Sequence, residues 1–483
     1  MELDQALQYI KKAEKQFSEW DGKVETGDKY YNNEDNILNT GAAMLDAVNG
    51  YLRNIGENPL RSADNRISCN WHEILTVQKT AYGCTYPPII TIADSEELSN
   101  LVADALGDDF QTVLSRLCTY ATNAGTAWLQ YWEAGNEIKM TEHKANECAA
   151  FTDPMDISRK KIALVRKYML EDENGDKKLH YEVWDEKEVI FVNGETSQLE
   201  QVTMGNGQPQ EKIANPFGRI PFIEFRNNER RSSDLNKYKA LLDSYDKIVS
   251  GFANDLDDIQ EIILVLKGLN GENESTLAIP EKDGKGNILY DEDGEVVYKE
   301  IQKTVSLLQQ IKAQKFLTVD GAGGVDKLSL DIPVEARNTA LDLLQEQIYI
   351  AGMGVNPNPE RTGQATGAYV DHMYHLLELK VGLMETEFRS AINKLVKAIL
   401  SFHGKNENVK IIQSWTRNKP KDANDIVNRL NTTPEAVMSN YTKRRLHPDI
   451  DDPEAEDKLI LKEQAELAKN MMDSFTPPEP EEE

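Results

Sequence analysis

Five carboxylates between Asp234 and Lys267 carry the spacing with the clearest chemical meaning: Asp243, Asp246, Asp257, Asp258 and Glu261. The stretch holds no proline and a single glycine, Gly251, so nothing in it forbids one continuous helix. Ser233 can cap its start, because a hydroxyl accepts an orphan backbone N–H, and Gly268 can end it. At ~1.5 Å per residue that is a rod on the order of 50 Å long. Steps of about 100° place Tyr238, Leu241, Leu242, Tyr245, Ile248, Val249, Phe252, Leu256, Ile259 and Ile263 on one side. Asp243, Asp257, Asp258 and Glu261 fall opposite, with Asp246 at the edge of that set. Lys239 and Lys247 share the polar side, so the acidity is clean only in the second half. A row of carboxylates without a histidine or thiol beside it presents negative charge and repels anions. An ordinary solvated face is the competing reading.

Other candidate chemistry fails on spacing. No G-x-x-x-x-G-K-[ST] run is present to cradle a triphosphate. His72-Glu73 lacks the second histidine of a zinc peptidase helix. Gly321-Ala322-Gly323-Gly324 follows no strand-to-helix dinucleotide fingerprint. Asp291-Glu292-Asp293-Gly294 has the start of a calcium loop without the later glutamate. Cys69, Cys84, Cys118 and Cys148 form no C-x-x-C pair and read as buried or half-buried thiols. With only seven histidines and no nucleophile beside one, the chain reads as a protein that is not an enzyme and takes no cofactor or metal. Its net charge of -28 and pI near 4.8 have the wrong sign for gripping nucleic acid, which needs Lys/Arg to displace phosphate counterions.

The 483 residues are too many for one ordinary core and imply about three domains at roughly 150 residues each. A mean hydropathy of -0.57 excludes a membrane-embedded chain, and the polar, amphipathic stretch Met1 to Ile10 has no signal-peptide block. Residues 1–60 are mostly helical in pattern, interrupted at Tyr30-Tyr31-Asn32-Asn33-Glu34-Asp35-Asn36-Ile37. Ile74 to Lys79 is amphipathic and stops near Gly83; Pro87-Pro88 forces an extended exit. Two helical patterns fill 95–124. The period then becomes two: Trp128–Trp132, Lys161–Arg166 and Val189–Val192 read as strands, with Asn174-Gly175 and Asn193-Gly194 as turns. After the long rod, residues 268–331 suit a small module of turns and short strands with a short helix around Thr304–Gln314. A second helix opens at Asp331-Ile332-Pro333 and runs to about Ile350, where Gly352-Met353-Gly354 stops it. Helical pattern resumes near Thr366-Gly367-Ala368 and continues to about Phe402. A strand at Val409–Ile412 and an acidic helical tail follow, its last helix running from Asp452-Pro453 to near Met472. The fold class is therefore α+β and mainly helical. Residues 476–483, rich in proline and glutamate, read as disordered.

This order resembles the portal proteins of long-tailed double-stranded DNA phages of Gram-positive bacteria, over nearly the whole chain. The closest likeness is Ile220-Pro221-Phe222-Ile223-Glu224-Phe225-Arg226-Asn227-Asn228 followed by Ser233-Asp234-Leu235 and Tyr245-Asp246. Thr362-Gly363-Gln364-Ala365-Thr366-Gly367 is similar to the family's loop-to-helix junction. Weaker echoes are Tyr30-Tyr31 with Ile37-Leu38, and His447-Pro448-Asp449 with Asp452-Pro453-Glu454. The tyrosine segment departs from the family in having Asn32-Asn33 where a glycine and a basic residue are common.

The resemblance implies a ring, usually of twelve subunits, at one capsid vertex of the virion, assembled in the host cytoplasm. Residues 1–232 with 368–420 would form its wing, 233–267 and 332–353 its stem, 268–331 its clip and 421–475 its crown. The loop 354–367 would narrow the tunnel, with Asn356, Asn358 and Arg361 near DNA phosphates. The clip would face the terminase large subunit and later the head–tail adaptor; capsid and scaffolding proteins would touch the wing. Repeated around such a ring, Asp243, Asp246, Asp257, Asp258 and Glu261 would line the lumen or its rim, so double-stranded DNA would slide through without sticking. The alternatives are another head or connector structural protein, which gives no reason for a module between two helices, and a DNA-processing enzyme, which lacks a carboxylate–histidine cluster.

Overall fold

The computed structural model describes residues 1–39, 64–259, 263–267, 272–280, 298–306, 324–328, 333–356, 367–418 and 423–474, less short interruptions at 94, 136, 158, 172–174, 204–208 and 451. They fall into two compact units. The first comprises residues 1–24, 75–233 and 353–483, the second 25–74 and 234–352.

Helix α1 (Leu3–Tyr31) opens the chain, and α2 (Trp71–Cys84) follows. Strand β1 (Ile89–Ile92) leads to α3 (Glu96–Leu106), whose N-terminus is capped by Ser95, its hydroxyl accepting the Leu98 N–H at 3.2 Å. Helix α4 (Phe110–Ala124) ends at Gly125, which has φ +105. A Cβ there would lie 2.3 Å from the Arg231 carbonyl oxygen, so only glycine lets the chain turn directly into the next strand.

That strand, β2 (Thr126–Ala134), pairs with β3 (Glu137–Lys144). Then come β4 (Cys148–Thr152), β5 (Lys161–Glu171), β6 (Lys177–Trp184) and β7 (Glu188–Asn193). Short strands β8 (Val202–Thr203), β9 (Pro209–Gln210) and β10 (Lys212–Ala214) precede β11 (Phe222–Arg226). Two antiparallel sheets result, ordered β10-β7-β6-β5-β4 and β11-β2-β3. Alternation assigns the two faces of the larger sheet. Val165, Tyr181, Val183, Ile190 and Val192 meet the apolar stripe Ala6, Ile10, Ala13 and Phe17 of α1. Leu164, Trp184, Val189 and Phe191 point the other way, onto Trp128, Ile220 and Phe222. The strands expected at 128–132, 161–166 and 189–192 lie within β2, β5 and β7.

The second unit contains a short 3₁₀ turn, Leu235–Lys237, and then helix α5 (Lys239–Ile259). The continuous rod expected over 234–267 is thus corrected at both ends. Tyr238 leaves helical geometry with ψ 0, and Ile263–Lys267 is strand β12, paired with β15 (Gly324–Leu328). The run Ile263-Leu264-Val265-Leu266 is apolar on every residue, and such a run fits strand or helix equally until a pairing partner decides. Strands β13 (Glu272–Pro280) and β14 (Tyr298–Ser306) form a hairpin of the same module. Thr304–Ser306, expected as the start of a short helix, belong to β14. Asp291–Gly294 and residues 307–314 lie outside the described residues. Helix α6 (Val334–Gly352) completes the unit, with Ile348 and Tyr349 buried; Trp71 packs edge-on against both Tyr245 and Tyr349, at 5.3 and 5.5 Å.

Helix α7 (Gly367–Phe402) supplies the centre of the first unit's largest core. Leu377, Val381, Met384, Phe388, Ile392, Leu395 and Ile399 repeat at helical spacing and are buried. Phe388 meets Phe225 of β11 edge-on at 5.0 Å. Strand β16 (Ile411–Ser414) pairs with β1. The tail carries α8 (Ala423–Thr432), α9 (Asn440–Leu446) and α10 (Pro453–Ser474). Residues 475–483, where disorder was expected, are outside the described residues. No helix among the described residues is long and apolar enough to cross a membrane.

Candidate functional site

Helix α5 carries Asp243, Asp246, Asp257 and Asp258, and Asn356 lies in the segment after α6. Tyr238 and Leu242 are buried, as the apolar side of the α5 pattern requires, while Leu256 from the same expected stripe is exposed. The acidic residues divide by environment. Asp243 is half-buried and neutralised: the Lys239 ammonium lies 2.8 Å away and the Tyr30 hydroxyl donates to it. Lys239 also sits over the Tyr30 ring at 4.8 Å.

Asp246 corrects the sequence reading. It is only 1% exposed and cannot line a surface in the folded subunit. Its carboxylate accepts the Cys69 backbone N–H at 3.1 Å and meets the carboxyl of Asp35, itself 1% exposed. Burial, and then the hydrogen bond and charge of Asp246, push Asp35 up to about 8. Burial raises Asp246 as well. Oδ2 of each is buried with no hydrogen-bond partner, and burial beside a second carboxyl favours the protonated form. The same surroundings push the Cys69 thiol up to about 12, chiefly by burial.

Asp255 is paired with Arg337 of α6, whose guanidinium also lies 5.5 Å over the Phe252 ring. Asp257 is exposed and accepts from the Asn65 side-chain amide. Of Asp243, Asp246, Asp255 and Asp257, it alone has neither a cation against it nor burial. Asp258 lies in the last turn of α5; Glu261, Asn358 and Arg361 lie outside the described residues. Asp243, Asp246 and Asp35 therefore come together, and Asp257 stands apart, about 16 Å along the helix at ~1.5 Å per residue.

Asn356 is half-buried at the end of the described 353–356 segment. Met353 takes φ +52 and turns the chain out of α6. Val355 is then held by Gln78 of α2 in both directions: its N–H donates to Gln78 Oε1 at 3.0 Å, and its carbonyl accepts from Gln78 Nε2 at 2.8 Å. Sequence reading missed Asp35 and Gln78. Both are polar residues in helical or turn context, and only a distant partner gives them a role. Among the described residues no group of His, Cys, Asp or Glu has the arrangement of a metal site.

The chain matches the family described as "Phage portal protein, SPP1 Gp6-like" over residues 11–470. It belongs to that phage portal family. It is 35% identical to the portal protein of Clostridium phage phiCD119 over 465 residues, covering 92% of this chain and 93% of that protein. It is 27% identical to the portal protein of Bacillus phage SPP1, covering 92% and 85%. Among solved structures, the neck of an empty gene transfer agent particle is similar at 13% identity and TM-score 0.35, covering 78% of this chain and 87% of that one. The neck of the native particle is similar at 13% identity and TM-score 0.35, covering 83% and 93%. The portal family is structural and not enzymatic, and its members form homo-oligomeric rings at a vertex of the virion capsid. Family membership decides against both alternatives, another head or connector structural protein and a DNA-processing enzyme.

Proposed function

We propose that the chain is the subunit of a twelve-membered ring, assembled in the host cytoplasm, through which double-stranded DNA is packaged and later ejected. The observation that carries this reading is the family match across residues 11–470. In it, residues 233–267 and 332–353 are the stem, 268–331 the clip that meets the terminase large subunit and then the head–tail adaptor, and 421–475 the crown. Residues 1–232 with 368–420 are the wing, against capsid and scaffolding proteins.

The lumen-facing charge is narrower than the five-residue set. Asp257, with Asp258 and Glu261, faces the passage, and Asp243 with its lysine lies at the rim. Asp246 is left out because it is buried within the subunit. The chemistry suits a passage that must not grip: exposed carboxylates repel phosphate, and a chain of net charge -28 offers few cations to hold it. Asn356, Asn358 and Arg361 in the loop 354–367 lie nearest the DNA, where neutral amides and a single cation per subunit touch phosphates weakly.

Electron microscopy of the purified chain, averaged without imposed symmetry, tests the assembly. Rings with a central hole and twelve lobes are expected. A shell-like lattice or a permanent monomer sinks the reading, and ATP hydrolysis by the pure chain contradicts it, because the motor belongs to a separate protein.

A further inference from the structure

We propose that the two ends of the β11-β2-β3 sheet are the two halves of a contact between neighbouring copies of this chain, in which Arg226, Arg230 and Arg231 of one copy seat against Trp132, Glu133 and Asp109 of the next. The inference goes beyond the ring reading by naming a surface, and it rests on that reading for the neighbour.

The register of the sheet separates the two sets. Arg226 of β11 lies opposite Thr126 at the start of β2, while Glu133 pairs with Ile138 where β2 turns into β3. At ~3.3 Å per residue the two ends are roughly 23 Å apart.

One end carries excess positive charge on a fixed backbone. Arg226 and Arg231 both bind the single carboxylate of Glu224, at 2.9 and 2.8 Å, so one positive charge of the three groups is left over. Arg230 is exposed and has no ion pair among the described residues. The loop that presents them is tied to itself. Asn228 Oδ1 accepts the Ser232 N–H at 3.1 Å, and the Asn227 and Asn228 side-chain amides both donate to the Ser232 carbonyl at 2.9 Å. The Arg231 N–H donates to the Asn228 carbonyl at 3.0 Å, with Arg231 at φ +53.

The other end offers what a guanidinium binds. Trp132 follows a buried run, Thr126–Tyr131, yet is itself 37% exposed. Glu133 beside it is exposed. Lys139, opposite Trp132, pairs with Glu137 at 2.8 Å and also feels the charge of Asp109. Asp108 and Asp109 are exposed ahead of α4, and the Asp109 side chain makes no capping hydrogen bond. Negative charge there suits the α4 dipole, but the dipole gives no reason for an open tryptophan alongside. A guanidinium both stacks on an indole face and pairs with carboxylates, so this mixture fits arginine better than a lone ammonium.

Charge identifies the occupant. Each copy carries 82 acids against 54 Lys and Arg, so copies brought side by side repel unless unlike charges meet locally. A ring joins its subunits head to tail, through two different patches on every subunit. Both patches must then sit on one chain at separate places, as the two ends of this sheet do. Arginine and tryptophan are also the residue types that interfaces favour.

The test uses the full-length chain. Arg230→Cys and Glu133→Cys are combined in one chain, assembled into rings and oxidised mildly with diamide. The two positions are too far apart for a bridge within one chain, which needs Cα atoms within about 7 Å. The doubly substituted ring should therefore give a ladder of covalent multimers, and each single variant no more than dimers. Wild-type rings, whose native thiols are buried or half-buried, set the background. Intact rings without a ladder overturn the contact. Charge reversal gives a second reading that needs no thiol. Arg230→Glu and Glu133→Arg, each alone, should raise the protein concentration for half-assembly by about tenfold at low salt, and the two together should return it to within about threefold of wild type. Single variants that assemble like wild type, or a double variant no better than either, overturn the pairing of these charges. Failure of the ring reading shows separately, as wild-type chains that form no ring.

Discussion

The carboxyl groups of Asp35 and Asp246 lie against each other, both about 1% exposed, beside the backbone of Cys69. Two like charges so buried cannot both ionise at neutral pH. Asp35, held up to about 8 by burial and by Asp246, keeps its proton there. The groups facing the pair are Ser68, Cys69, Asp243 and Tyr245, with Tyr30 and Lys239 engaged by Asp243. An unfolded Asp35 releases its proton near pH 4, so between about pH 4 and about pH 8 the folded chain holds one more proton than the unfolded. Stability is therefore full below about pH 4 for this term and falls as pH rises through the window, by at most ~1.4 kcal/mol per pH unit. Asp35→Asn replaces the protonated carboxyl with a neutral amide and removes the Asp35 contribution to the dependence. Thermal melts from pH 5 to pH 8.5 should diverge, with the variant the more stable at the alkaline end. Parallel curves would rule out a protonated Asp35.

That pair also shows where sequence reading stops. Helical spacing puts Asp246 at the edge of the polar side of α5, and spacing is all that a single stretch can reveal. What buries it is Asp35, far earlier in the chain, within a polar run that reads only as an interruption. The same limit shortened the rod: Ile263–Lys267 has apolar residues enough for a helix, and its antiparallel pairing with Gly324–Leu328 decides for a strand. Elements set by their own period were legible. Leu377 to Ile399 repeats at helical spacing through α7, and Val189–Val192 alternates against α1 on one side and Trp128 on the other. Gln78 was not legible, since its partner is a backbone and leaves no side-chain signature.

Gly125 should tolerate no side chain. Its φ of +105 is strained for any L-residue, and a Cβ would sit 2.3 Å from a backbone carbonyl that cannot swing aside. Gly125→Ala is expected to cost ~3 kcal/mol or more, combining that strain with displacement of residues 231–232. Gly22, inside α1 with nothing within 4 Å of its Cβ position, is the matched contrast. Gly22→Ala should stabilise by ~0.5–1 kcal/mol through helix propensity. Urea unfolding of the two variants gives the comparison; similar effects of one sign would refute it.

Arg417 joins two carboxylates of α7. It reaches Glu378 at 3.0 Å and also Glu385, with 17% of its side chain exposed. Removing it leaves Glu385, only 11% exposed, to rely on Arg389 alone. Arg417→Ala should cost roughly 2–3 kcal/mol, below the range for a fully buried pair because Glu378 is partly solvated. Lys29→Ala breaks the exposed pair with Glu25 and should leave unfolding unchanged. A melting temperature for Arg417→Ala indistinguishable from wild type would show that the network is ornamental to stability.

Asp257 is the exposed acid of α5 at which the proposed lining of the passage can be tested by inverting charge. Asp257→Lys places a cation wherever α5 presents that position, once per subunit around the ring. If the position faces the lumen, assembled rings should bind a short duplex with an affinity that falls as salt rises, each phosphate neutralised steepening log K against log salt by about 0.9. Particles built on the variant should also package less DNA, because the passage now grips its cargo. An outward-facing lysine would give salt-dependent binding with normal packaging. That combination would move the lumen to another surface of the second unit, while unaltered binding and packaging would remove residue 257 from DNA contact altogether. Wild-type rings, with a carboxylate at this position, should show neither effect at any salt concentration.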